Sequence, residues 1–128
     1  MSKKQMLGWG VCGAMALACL SLFMDFAEFY GIVSMNAFDL MEASAEFDGG
    51  YGAIVAVIAT FGGLALALIG NTKGTGFGLA KLCSIVSVIF MFLFFSDGLD
   101  YAASGFWIFM IAHVAAFVLS IKADGATE

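Results

Sequence analysis

The chain has 128 residues, 62% of them hydrophobic and 12% charged, with 14 phenylalanines, no proline and a net charge of -5. Soluble domains average about half apolar and about a quarter charged, so this composition excludes an ordinary soluble globule, and its aromatic content excludes a disordered chain. Five lysines, no arginine and a net negative charge exclude a nucleic-acid partner. The partner that the composition calls for is a lipid bilayer.

Four apolar stretches have the length a bilayer demands, about 20 residues at a rise of about 1.5 Å each. They are Leu7–Met24, Tyr51–Gly70, Phe77–Phe95 and Ala102–Ile121. The first follows Lys3 and Lys4, as a secretory signal would, and Ala16-Leu17-Ala18-Cys19 resembles a lipoprotein cleavage box. Its apolar run continues through Leu20, Leu22, Phe23 and Met24, where a mature protein would turn polar, so the first span is expected to be retained. Cys12, Cys19 and Cys83 all fall inside spans and read as small packing residues.

Residues 25–50 separate spans one and two. This segment is too apolar for a solvated loop, with Phe26, Phe29, Tyr30, Ile32, Phe38 and Phe47 among its residues. Ile32–Met35 alternates as a short extended piece would. Asn36 reads as the N-cap of a short helix over Phe38–Ala45, with Phe38, Met41 and Ala45 on its apolar face. The segment is expected to cap the outer end of the helices. Gly49-Gly50 breaks the chain before span two. The turn after it, Gly70–Gly78, is rich in glycine like a phosphate loop but lacks the strand and the GK[ST] arrangement, so it reads as a connection. Two short connections make neighbouring spans antiparallel.

The predicted fold is therefore all-α: one domain, residues 1–128, forming an antiparallel bundle of four transmembrane helices with an outer cap that contains a short helix. Lys3, Lys4, Lys73, Lys81 and Lys122 all fall on one side if both termini lie there, and the positive-inside rule makes that side cytoplasmic. Asp25, Glu28, Asp39, Glu42, Glu46, Asp48, Asp97 and Asp100 then form an acidic outer face.

Small residues recur every four positions: Gly10, Ala14 and Ala18 in span one, Ala59, Gly63 and Ala67 in span two, and Ala112, Ala116 and Ser120 in span four. Such stripes let membrane helices approach closely, within one chain or between copies. His113 lies near the middle of span four, and an intramembrane ionisable residue is a functional candidate. Depth counted from the span ends puts Thr60, Ser84 and Ser87 near its level. A neutral imidazole tied to these hydroxyls would join helices. A proton relay would want a carboxylate at depth, and no span contains one. No cofactor or metal site is expected, since a lone histidine cannot supply the ligands of a zinc centre.

Ala37-Phe38-Asp39-Leu40, Asp48-Gly49 and the turn Gly70-Asn71-Thr72-Lys73 resemble features of a loose group of small four-span bacterial membrane proteins. Many members carry an N-terminal zinc ribbon that this sequence does not contain, and the resemblance implies no activity. The chain lacks the carboxylate in span one of small multidrug-resistance transporters, the arginine of fluoride channels and the paired-cysteine loop of claudins. The expectation is a structural, accessory or self-assembling membrane protein, not an enzyme, as a homo-oligomer or with another membrane protein. The alternatives are an oligomeric transporter or cation channel using His113 beneath an acidic mouth, and a holin-like pore former.

Overall fold

A computed structural model describes residues 2–29, 33–42, 51–95 and 99–125, which are 82% helical. In chain order the elements are α1 (Lys3–Ser21), β1 (Ala27–Phe29), β2 (Val33–Met35), α2 (Ala37–Glu42), α3 (Tyr51–Lys73), α4 (Gly78–Phe94), a 3-10 turn (Leu99–Tyr101) and α5 (Ser104–Gly125). Two helices, α3 over Gly52–Lys73 and α5, are long and apolar enough to cross a membrane.

Local chemistry explains most of the ends. Ser2 caps α1 in a reciprocal box: its Oγ accepts the Gln5 N–H at 3.2 Å, and Gln5 Oε1 accepts the Ser2 N–H at 3.0 Å. This moves the start of the first helix ahead of the predicted Leu7. Asn36 and Asp39 form the same reciprocal pair at 2.9 and 3.1 Å and start α2 at Ala37. The described part of α2 ends at Glu42, and Ala43–Ala45 of the predicted helix lie outside the described residues. Its buried residues are Ala37 and Leu40, whereas the predicted Phe38 and Met41 are half-buried. α3 runs on through Lys73, three residues beyond the predicted Gly70, because Gly74 with φ +71° and Gly76 with φ +90° supply the reversal.

The cap contains a strand that the sequence reading lacks. β1 pairs antiparallel with β2, with Ala27 opposite Met35 and Phe29 opposite Val33. Ala27 also bridges to Ala102 on its other edge. Phe26 C=O accepts the Ala103 N–H at 2.8 Å, Asp25 C=O accepts the Gly105 N–H at 2.9 Å, and Leu22 C=O accepts the Ala37 N–H at 3.1 Å. The cap is thereby stitched to the end of α1 and the start of α5.

α1 packs on α5 and α3, and α4 packs on α3 and α5. Two apolar clusters fill the space between them. The one beneath the cap is aromatic, with Phe26 edge-on to Phe109 at 5.4 Å and Phe95 against Phe106 at 4.5 Å. The other, built on Val11, Met15, Ala67, Phe77 and Ala116, lies toward the opposite end. All four long helices also expose large apolar side chains, such as Leu20, Ile58, Leu82 and Ile111. A water-soluble surface rarely carries so many exposed large apolar side chains.

Candidate functional site

Thr60 is the first residue to place. Like any mid-helix threonine it can turn its hydroxyl back on the preceding turn, and it donates to the Ala56 carbonyl at 2.7 Å. It lies on α3 between Val57 of the aromatic cluster and Ala67 of the other. Ser84 and Ser87 hold the same place on α4, between Ala80 and Met91. His113 holds it on α5, between Phe109 and Ala116. The four side chains sit within 2% of full burial and form a polar layer separating the two clusters.

The layer is tightly connected. His113 Nε2 lies 2.9 Å from Thr60 Oγ1, and Nδ1 lies 3.1 Å from Ser84 Oγ. Ser84 Oγ is also 3.3 Å from Met15 Sδ on α1. Ser87 Oγ lies 3.3 Å from Thr60 Oγ1 and 3.4 Å from the Ala56 carbonyl. The Cys19 thiol faces the Thr60 carbonyl at 3.8 Å, and the Phe109 ring stands edge-on to the imidazole with centroids 4.6 Å apart.

Each hydroxyl has one proton to give, so two patterns satisfy the layer. With the Thr60 proton on Ala56, Nε2–H donates to Thr60 and Ser84 donates to Nδ1. With the other tautomer, Nδ1–H donates to Ser84, Ser84 donates to Met15 Sδ, Thr60 donates to Nε2, and Ser87 supplies Ala56. A neutral imidazole is fully paired in both. Among the described residues no buried side-chain nitrogen or oxygen lacks a partner, and no group of three metal-ligating side chains occurs.

The structure brings together all four residues that depth counting grouped. Met15, Cys19 and the Ala56 carbonyl complete the set and were missed, because a thioether, a thiol and a backbone oxygen leave no polar mark in a sequence. The glycines of the small-residue stripes face other helices of the same chain. Gly10 faces Leu119, and Gly63 faces Met15 and Cys83. Ala18, Ala67, Ala112 and Ala116 are buried, while Ala14 and Ala59 are half-buried.

Charge separates by end. Asp25, Glu28, Asp39, Glu42 and Asp100 are exposed on or beside the cap; Glu46, Asp48 and Asp97 lie outside the described residues. The lysines gather at the other end. There α1 begins, α3 ends at Lys73, α4 begins with Lys81 in its first turn, and α5 ends after Lys122. Among the described residues one acid joins them: Asp124 Oδ1 accepts the Phe77 N–H at 3.1 Å, and its Oδ2 pairs with Lys81 Nζ at 3.1 Å. This tie fixes the α3–α4 turn on the last turn of α5. The chain matches no protein-family model, no curated protein and no solved structure.

Proposed function

We propose that this protein is an antiparallel four-helix membrane protein of the cytoplasmic membrane, with both termini inside. It acts through its folded surfaces, as an accessory or self-assembling unit, and performs neither catalysis nor transport. The observation that carries this reading is the closure of the polar layer. A relay must hand protons onward at both ends. Here one end is the Met15 thioether, which accepts a hydrogen bond but carries no proton, and the other is the Ala56 carbonyl. His113 is thereby a tie between α3, α4 and α5.

The membrane assignment is supported by the exposed apolar sides of all four helices and by the separation of lysines from acids. Trp9 near one end and Trp107 near the other, each half-exposed, suit the two interfaces. α1 with 19 residues and α4 with 17 span about 28 and 26 Å, enough to cross with local thinning or snorkelling. The weak likeness to small four-span bacterial proteins is compatible with this layout and adds no activity.

Reconstitution tests the reading. Proteoliposomes are expected to pass protons and monovalent cations no faster than empty liposomes. Flux that His113→Ala abolishes would replace the proposal with the transporter alternative. Lysis triggered by depolarisation would replace it with the pore former.

A further inference from the structure

α1 and α5 lie antiparallel, and two contacts fix their register. Gly10 faces Leu119 toward the lysine end, and the Gly105 N–H bonds the Asp25 carbonyl beneath the cap. Trp9 on α1 is therefore level with about Ser120 on α5, which lies about 20 Å from Trp107 along the helix axis. Each indole is half-exposed and stands in the N-terminal part of its own helix. Helical side chains lean toward the N-terminus, so the two indoles lean away from the middle of the bundle, and their separation comes to about 25 Å.

The exposed apolar belt has a similar height. Among the described residues, its large side chains run from Leu79 to Leu93 on α4 and from Trp107 to Ile121 on α5, about 21 Å on each helix. On α1 they run from Met6 to Met24, about 27 Å. Exposed charge marks the limits, with Lys4 before and Asp25 after the α1 stretch and Lys122 after the α5 stretch. His113 lies about midway between Trp107 and Ser120, so the buried polar layer sits at the centre of the belt. A typical hydrocarbon core is about 30 Å thick, which leaves the belt short by about 3–9 Å. Tilting a helix lowers the height it spans and widens the gap. Lysine stems can lengthen the belt by snorkelling at one end only, because the exposed acids at the cap end have short stems.

We propose that the apolar belt of this protein fits a thin bilayer, and that the lipid shell around it selects phospholipids with chains of fourteen to sixteen carbons over those with eighteen. The proposal rests on the membrane reading above and specifies the bilayer. Mismatch costs a fraction of a kcal/mol per ångström, so a gap of several ångströms is enough to bias which lipids touch the helices.

Fluorescence quenching of Trp9 and Trp107 by lipid tests this. The full chain is reconstituted in dibrominated eighteen-carbon phosphatidylcholine, whose bromines quench an indole on contact. Unbrominated phosphatidylcholines with monounsaturated chains of fourteen, sixteen, eighteen and twenty carbons are then mixed in as competitors. The fourteen- and sixteen-carbon lipids are expected to relieve quenching at about one-third of the mole fraction that the eighteen-carbon lipid needs. Strongest relief by the eighteen- or twenty-carbon lipid, or equal relief at every length, would overturn the thin-bilayer fit and leave the membrane reading standing. No quenching in the pure brominated lipid would overturn the membrane reading itself.

Discussion

His113 has a hydroxyl at each ring nitrogen, and each hydroxyl has a second partner. Its replacement therefore removes two hydrogen bonds but leaves Thr60 bonded to Ala56 and Ser84 beside Met15. Hydrogen bonds between membrane helices contribute on average about 0.6 kcal/mol. His113→Leu should accordingly lower the unfolding free energy by about 1 kcal/mol, measured by steric trapping in bicelles, with helicity unchanged. Two adjacent glycines offer a sharper contrast. A Cβ on Gly63 meets Met15 and, at 3.1 Å, the Cys83 Cβ, whereas nothing lies within 4 Å of one on Gly62. Gly63→Val should cost about 1–3 kcal/mol by overpacking, and Gly62→Val should cost little, in the same assay. The histidine and its hydroxyl partners were legible in the sequence because polar residues are rare in apolar spans and rise per residue fixes their depth. The glycine contrast was legible too, because the four-residue stripe Ala59, Gly63 and Ala67 includes Gly63 and leaves out Gly62, but the partners Met15 and Cys83 were not, because helix rotation and pairing decide them.

Among the elements, the long helices were legible and the short ones were not. An apolar stretch of 18 to 20 residues declares itself by length. β1 has three residues, too few for an alternation to register, and its outer edge depends on Ala102, far along the chain from Ala27. The tie between α5 and the α3–α4 turn was equally hidden, since Asp124 and Phe77 are 47 residues apart. Asp124→Ala removes the acceptor for Phe77 N–H and the partner of Lys81. Because both charged groups are more than a quarter exposed, the loss in global stability should stay below about 1 kcal/mol. The local effect should be larger: hydrogen–deuterium exchange should quicken at Phe77 and Gly76 while the amides of mid-α5 keep their protection. Equal acceleration throughout α5 would mean that Asp124 supports the whole helix instead of the turn.

For the whole molecule, the separation of charge makes a topological prediction. Ser34 is exposed on the cap, and Ser2 lies at the lysine end. In a background with the three native cysteines replaced, Ser34→Cys should react with a membrane-impermeant maleimide in intact cells. Ser2→Cys should react only after permeabilisation. The reverse pattern would invert the orientation, and labelling of both in intact cells would remove the four-span arrangement. Composition alone pointed to a bilayer. The position of each charge, together with the contacts that bring the lysines to one end, adds the proposed sidedness that this labelling pattern tests.

The polar layer also has a mechanical consequence. Membrane helices that carry signals often slide along their axes, by as much as one turn of about 5.4 Å. A slip of that size between α5 and α3 would withdraw the imidazole from Thr60 and carry it into apolar side chains, with its ring nitrogen left unmatched, a cost that the proposed bilayer, which offers no water at that depth, would raise. The layer thus acts as a detent against piston motion. Tilting about that level disturbs these bonds least, so the displacement open to the helices is greatest at the cap and at the lysine-bearing turn.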